Sequence, residues 1–189
     1  MARLFMAIVG LLLFSISSYA ADAPQGDRAR LDQIERYLKA DVPRILCLDN
    51  DFASGAQPKD EAYAKAATSG FRSVLSLRAG NEGVELTRER SLVEKSKMRY
   101  LNIPVVSSAP RPEQADEFIR LVNEKSNHPM LITCASANRV GAFMMIYRVL
   151  EQGWPEDKAL DEAVKIGTSA ANLKKFAHDY IAQHKGKQG

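Results

Sequence analysis

Histidine is scarce in this chain of 189 residues, and the few histidines are not arranged as metal ligands. His128, His178 and His184 are scattered, whereas metal-binding residues usually recur at short, characteristic spacings. The sequence also lacks a glycine-rich nucleotide fingerprint. We therefore expect neither a metal site nor a cofactor.

A strong excess of one charge is missing too. Lysine and arginine number 26 against 23 aspartates and glutamates, the formal net charge is +3, and the two signs are interspersed. Proteins that bind nucleic acids usually carry a basic stripe, or basic residues interleaved with aromatic ones. Neither pattern is present, so the sequence argues against a nucleic acid partner. It leaves the oligomeric state open.

Long apolar runs are absent, and the one extended apolar run lies at the N-terminus. Arg3 is followed by an eleven-residue apolar run at 4–14, and residues 18–20 offer small side chains at the positions that a signal peptidase reads. A membrane-spanning helix requires roughly 18 to 20 residues. We predict a signal peptide at 1–20 and a periplasmic or secreted protein without stable membrane insertion; a single-pass anchor is the alternative.

The remaining residues suffice for one domain with its own core. Residues 27–39 place apolar side chains on one face of a helix, so 21–42 are interpreted as an N-terminal helical extension of a main domain at 43–189. The chain has only two cysteines. Cys47 lies in an apolar, strand-like run where a buried thiol needs no partner, so we favour two unpaired thiols; a disulfide with Cys134 is the alternative.

Short apolar runs alternate with amphipathic segments along the main domain. Strands are predicted at 44–48, 73–77, 100–105 and 130–133, and helices at 59–69, 84–97, 112–124, 140–150, 155–166 and 171–183. Residues 51–58 are rich in turn formers and predict a loop. This alternation predicts an α/β fold, with a mostly parallel central sheet and helices on both faces.

The segment around Cys134 carries the strongest functional signal. A buried strand at 130–133 leads into a tight loop at 134–139 and then an apolar helix. The first turn of a helix has unpaired amides and partial positive charge, which bind anions and favour a cysteine thiolate over the thiol. Arg139 adds a planar fork for two anionic oxygens. We predict an anion site with a nucleophilic Cys134; an inert buried cysteine is the alternative.

Two further arginines follow predicted strands. Arg78 comes after the strand at 73–77, and Arg111 comes after the strand at 100–105. Because parallel strands direct their carboxyl ends to one edge of a sheet, both arginines are candidates for the crevice at Cys134. For each, a solvated loop side chain is the alternative.

Four segments together resemble the protein tyrosine phosphatase superfamily, in particular a bacterial branch related to the phosphatase-like domain of beta-lactamase-hydrolase-like proteins. These segments are 53–58, 70–78, 100–105 and 134–142. The resemblance implies hydrolysis of phosphate monoesters through a phosphocysteine intermediate, on a phosphorylated small molecule or a phosphoprotein. It makes Cys134 the nucleophile and Arg139 the phosphate clamp. The implied substrate-binding residues are Ala135, Ser136, Ala137 and Asn138, together with Arg78.

The sequence departs from that family's pattern near the nucleophile. The gap from Cys134 to Arg139 is one residue shorter than usual, and Ala137 stands where the branch commonly has glycine. Thr133 replaces the usual histidine, and Val140 replaces a hydroxyl residue. The alternatives are therefore a non-catalytic anion-binding or interaction module and a rhodanese-like sulfurtransferase.

A general acid is also missing from the expected place, because residues 106–108 contain no carboxylate. Loss of a general acid typically removes about 10² to 10⁴ of rate. Glu113 and Asp116 begin a predicted helix and are interpreted first as partners of its dipole. The sequence assigns no role to the loop carboxylates Asp49, Asp51 and Glu82.

Overall fold

The structure is a computed structural model that describes residues 25–83 and 85–185. The predicted signal peptide at 1–20 lies outside these residues. In the described ranges, no helix is long and apolar enough to cross a membrane.

The described residues form a central sheet surrounded by helices. The strands are β1 Leu46–Cys47, β2 Phe52–Gly55, β3 Ser73–Ser76, β4 Arg99–Asn102 and β5 Met130–Thr133. The helices are α1 Gln25–Leu38, α2 Ala62–Thr68, α3 Leu86–Lys95, α4 Pro112–Asn123, α5 Asn138–Leu150, α6 Glu156–Ile166 and α7 Ala171–His184.

The sheet is mostly parallel, which confirms the predicted fold class. Its strand order is β1-β2-β5-β3-β4, and only the pairing of β1 with β2 is antiparallel among the described strands. At the carboxyl end of β5, Thr133 is paired with Gly55 on one side and with Ser76 on the other. The segments that follow β5 and β3 therefore emerge side by side, and this edge carries Cys134.

Strand β2 corrects the prediction of a loop at 51–58. After Phe52 its residues are small, and they take up strand geometry because β1 and β5 pair with them from both sides. All four residues are buried. Gly55 packs closely against Val42, since a Cβ at position 55 would lie 2.5 Å from Cγ1 of Val42. Turn-forming composition was thus outweighed by pairing and close packing.

Two hydrophobic clusters cover the two faces of the sheet, because successive strand residues point to opposite sides. Leu75 and Ile132 face the cluster formed with α4 to α7, whereas Val74 and Leu131 face the cluster formed with α1 to α3. Helix α5 lies against α6 at close range, since a Cβ on Gly141 would be 2.5 Å from the carbonyl oxygen of Ala163. This packing fixes the helix that follows the Cys134 loop.

Helix α1 covers the open side of strand β1. The amide of Cys47 donates to Glu35 at 2.9 Å, and Arg28 donates to the Cys47 carbonyl at 3.3 Å. Cys47 and Cys134 are both buried free thiols, in different clusters. Burial raises the pKa of Cys47 to about 12, which makes it a poor nucleophile.

Candidate active site

The loop from β5 to α5 turns sharply beneath the first turn of the helix. Ala137, the residue before α5, has φ 64° and ψ 0°, in the left-handed region. This is the position where the related branch commonly has glycine, and an alanine there costs about 1 to 2 kcal/mol of strain. The loop nevertheless adopts the turn, because the flanking strand and helix are both packed into the core.

The amides of this loop are available to an anion. Within the described residues, the backbone N–H groups of residues 135–139 donate to no carbonyl or side-chain oxygen. The loop is held instead from its other side. There the Ala135 carbonyl accepts from the main-chain amide of Gln57 at 3.5 Å, and the main-chain amide of Cys134 donates to the Gly55 carbonyl at 3.4 Å. Ala135 and Ser136 are exposed. The amides of residues 135–139, called the cradle below, are therefore open to the outside, while the opposite side of the loop is bound to the segment at 55–57.

Arg139 lies beneath the cradle, only 2% exposed. Its Nη1 donates to the carbonyls of Leu77 at 2.9 Å and Val105 at 2.6 Å, and to Glu82 Oε1 at 2.6 Å. Its Nη2 donates to Glu82 Oε2 at 2.7 Å. The two carboxylate oxygens of Glu82 therefore bind Nη1 and Nη2, at the end of the guanidinium.

The other edge of this guanidinium has no oxygen partner in the described residues. Arginine has five N–H donors in a fixed fork. In the described part of the chain, the Nε–H of Arg139 and the second hydrogen of Nη2 donate to no oxygen. These two donors lie along one edge, in the geometry that matches two oxygens of a phosphate.

Cys134 lies next to Arg139 and is completely buried. Burial alone would lower the pKa of Arg139. The hydrogen bonds and charges of Glu82 and the Cys134 sulfur have the larger combined effect, so the pKa of Arg139 is raised. The guanidinium is consequently a permanent cation beside the sulfur.

Glu82 is the functional residue that the sequence did not assign. Burial would raise the pKa of Glu82, but the hydrogen bonds from Arg139 and the amide of Ala79 and the charges of Arg139 and Arg78 leave the pKa lowered. The Ala79 amide donates at 2.8 Å. A signal was available, because Glu82 follows β3 at the same edge of the sheet as Cys134 and is the carboxylate nearest in sequence to Arg78.

Arg78 is placed behind Glu82, not in the cradle. It is 7% exposed, and its Nη2 donates to the Glu82 carbonyl at 2.6 Å, while its Nε lies 3.4 Å from Glu82 Oε2. Its Nη1 donates to Gln57 at 2.8 Å. Direct contact of Arg78 with a substrate stays a prediction. Arg111 is exposed, and its main-chain amide donates to Gln114 at 2.8 Å.

Asn138 contributes to the cradle through its main chain only. Its side chain turns away, where Oδ1 accepts from the amides of Ser169 and Ala170 at 3.2 and 3.3 Å, and Nδ2 donates to Ser169 at 3.0 Å. Thr168 donates to the Asn138 carbonyl at 2.9 Å. These contacts tie the start of α5 to the start of α7.

The other carboxylates lie elsewhere. Asp49 and Asp51 precede β2, at the opposite edge of the sheet, where Asp49 pairs with Arg148 at 2.8 Å. Asp116 accepts a hydrogen bond from Tyr180. Glu113 is an exposed residue in the first turn of α4. None of these contacts brings a carboxylate to Cys134.

Solved structures share this architecture. A DUF442 protein of Shewanella putrefaciens CN-32 aligns with a TM-score of 0.69 and 17% identity, over 78% of this chain and 97% of its own. P. aeruginosa TpbA aligns with a TM-score of 0.59 and 20% identity, over 74% and 84% of the two chains. The catalytic domain of the PP-IP phosphatase SIW14 from S. cerevisiae aligns with a TM-score of 0.64 and 16% identity, over 74% and 86%. At these identities the structures show the fold.

The family itself is shown by the sequence. No curated protein matches the chain. One family profile, described as DSP-PTPase phosphatase fused to NAD+ kinase, matches residues 31–182, which is most of the chain. The match confirms the resemblance to the protein tyrosine phosphatase superfamily that the sequence indicated. This chain therefore belongs to that DSP-PTPase family, in the dual-specificity-phosphatase-like part of the protein tyrosine phosphatase superfamily.

Proposed function

We propose that this protein hydrolyses phosphate monoesters through a phosphocysteine on Cys134, and that aryl phosphates are its preferred class. One observation carries the proposal: Cys134 lies beside the buried guanidinium of Arg139, under loop amides that have no other acceptor in the described residues. Such preorganised donors stabilise the charge that develops on the transferred phosphoryl group.

The reaction has two displacements at phosphorus. The thiolate of Cys134 attacks the phosphoryl group, the ester P–O bond breaks, and the leaving oxygen takes its proton from water. A water molecule then attacks phosphocysteine, the S–P bond breaks, and inorganic phosphate and the thiolate are released. Arg139 and the amides of the cradle hold the phosphoryl oxygens through both steps.

The preference for aryl esters follows from the missing acid. Residues 106–109 supply no carboxylate, so a leaving group that departs as a stable anion is favoured over an alkoxide. Phenolic oxygens, with a pKa near 10, satisfy this requirement. One structure of P. aeruginosa TpbA holds pTyr, which supports an aryl phosphate as the substrate class here.

Hydrolysis of p-nitrophenyl phosphate tests the proposal. The full chain is compared with Cys134→Ser and Arg139→Ala, and both variants are expected to lose at least about 10²-fold in kcat/KM. Trapping of a phosphocysteine by acid quench, followed by mass spectrometry, checks the intermediate. Equal rates in all three proteins would refute the phosphatase proposal.

Two alternative functions predict different assay results. The lack of an acid also fits an anion-binding module, which would bind orthovanadate without turnover of any aryl phosphate. A sulfurtransferase would form thiocyanate from thiosulfate and cyanide, in a manner dependent on Cys134. The family match and the orientation of Arg139 favour phosphoryl chemistry over both.

We also propose that the protein is exported, since residues 1–20 have the pattern of a signal peptide. Cell fractionation with N-terminal sequencing tests this. A mature protein that begins near residue 21 in the periplasm or medium is expected, and an uncleaved cytoplasmic chain would contradict it.

A further inference from the structure

A buried carboxylate lies behind the arginines of the active site. Glu89 on α3 is 4% exposed, and within the described residues its hydrogen-bond donors are all neutral groups. Tyr63 donates at 2.7 Å, Tyr100 at 2.8 Å, and the amide of Gln57 at 3.3 Å. The charge of Glu89 raises the pKa of both tyrosines, after burial, which is the larger cause. Both phenols therefore remain donors at neutral pH.

Gln57 joins this carboxylate to the site. Its Nε2 donates to Glu89, while its Oε1 accepts from Nη1 of Arg78 at 2.8 Å. An amide has one donor end and one acceptor end, so a carboxylate on one side and a guanidinium on the other fix its orientation. A flipped amide would place N–H against Arg78 and oxygen against Glu89, which both neighbours disfavour.

The contacts continue from Arg78 to the phosphate clamp. Arg78 holds Glu82 at its carbonyl and faces its carboxylate, and Glu82 holds the end of Arg139 with both oxygens. Gln57 therefore reaches Arg139 through Arg78 and Glu82.

We propose that Gln57 is a positioning residue for Arg139, and that Glu89 sets the direction of the Gln57 amide. The proposal rests on the phosphatase function proposed above. It assigns a role to a loop glutamine that touches neither the nucleophile's side chain nor the open edge of Arg139. Loss of the Gln57 oxygen makes the side chain of Arg78 more mobile. Through Glu82, it also makes the Arg139 guanidinium, which receives the phosphoryl group, more mobile.

Four variants of the full chain test the proposal, with orthovanadate as the probe. Gln57→Leu removes the side-chain contacts to Arg78 and Glu89, together with a long one to the Pro58 carbonyl at 3.4 Å. Its dissociation constant for orthovanadate is expected to rise about tenfold, which corresponds to about 1.4 kcal/mol. Gln57→Glu is expected to lose at least as much, because it sets two carboxylates against each other. The double variant Gln57→Glu with Glu89→Gln exchanges the two groups, restores an amide-to-carboxylate hydrogen bond, and is expected to recover to within about threefold.

Gln152→Leu is the matched control. Gln152 also accepts from a buried arginine, Arg148, at 2.7 Å, but it lies beyond the far end of α5. Its loss is expected to leave orthovanadate affinity unchanged. If the role of Gln57 were merely structural, Gln57→Leu would lower the melting temperature and leave orthovanadate affinity unchanged, as expected for Gln152→Leu.

A second measurement is independent of turnover and of anion binding. The ¹⁵N–¹H signals of the Arg78 and Arg139 guanidinium groups are expected to exchange faster with solvent in Gln57→Leu, and to recover in the exchange variant. Unchanged signals, or wild-type orthovanadate affinity in Gln57→Leu, would overturn the proposal. A wild type that binds orthovanadate without hydrolysing aryl phosphates would refute the proposed function and leave this test intact.

Discussion

Replacing Glu82 with glutamine removes the charge that holds Arg139 while keeping the shape of the side chain. The new amide presents an N–H group to one nitrogen of the guanidinium, so one of two short contacts becomes repulsive. Arg139 keeps its bonds to the carbonyls of Leu77 and Val105. The change therefore isolates the ion pair from the rest of the arginine's environment.

The expected loss of stability is about 2 kcal/mol. Removing one partner of a fully buried ion pair costs about 3 to 5 kcal/mol, because a buried charge is left unpaired. The side chain of Glu82 is 23% exposed, so solvent screens part of the pair, and we reduce the figure accordingly. For a domain of this size, this loss corresponds to a melting temperature lowered by about 4 to 8 °C.

The loss should depend on pH in a defined direction. Because the pKa of Glu82 is lowered in the folded protein, its pairing stabilises the fold fully at neutral pH, and this contribution disappears as the pH falls through the folded-state pKa. Urea denaturation of both proteins at several pH values is the measurement. The difference between wild type and Glu82→Gln should be constant from pH 6 to 8 and shrink below a pH of about 4.

Glu162→Gln supplies a control with similar chemistry. Arg148 is also 2% exposed and is held by Glu162 at 2.8 and 3.1 Å, at the opposite end of α5. Both variants should lose stability, but only Glu82→Gln should weaken orthovanadate binding, by about tenfold or more. Glu82→Gln with unchanged stability and tighter orthovanadate binding would refute the reasoning, since it would mean that Glu82 competes for Arg139 instead of orienting it.

Three further predictions follow from local geometry. Gly141→Ala should cost about 1 to 3 kcal/mol in urea denaturation, because its Cβ would press on the backbone of Ala163 at 2.5 Å; a neutral result would contradict the close packing of α5 on α6. Ala137→Gly should change stability by less than about 1 kcal/mol, because relief of left-handed strain is offset by a lost buried methyl group and a more flexible unfolded chain; a gain above about 2 kcal/mol would show that the offsets are absent. Cys47 should resist iodoacetamide at pH 8 until the protein unfolds, because its raised pKa leaves about one thiolate in 10⁴; rapid labelling of the native Cys47 would contradict its burial.

The nucleophile loop could be predicted because its parts are contiguous. A strand, six loop residues and a helix place Cys134, the amides and Arg139 together by local geometry alone, and the structure has β5 at the predicted residues. The left-handed backbone at Ala137 was foreseeable from the glycine that commonly stands there in the related branch. The alternation of strands and helices predicted the sheet for a similar reason, since each element carries its own periodicity.

The remaining parts depend on contacts between distant segments. Glu82 meets Arg139 across 57 residues of sequence, and that contact depends on the conformation of the loop after β3. Strand β2 depends on its two neighbours, because Ala53, Ser54 and Gly55 have little strand preference of their own. A sequence pattern reports local preference, so it could not show which loop carboxylate faces the arginine.

Glu82 also explains why the missing acid is not simply replaced by the nearest carboxylate. A general acid must carry a proton at the operating pH, but the pKa of Glu82 is lowered, and both of its oxygens accept from Arg139. Protonating Glu82 would also release the clamp that holds the phosphoryl group. The two roles therefore exclude each other in one side chain. In the mechanism we propose, Glu82 therefore orients Arg139, proton delivery falls to water, and the chemistry is directed toward esters whose leaving oxygen needs little help.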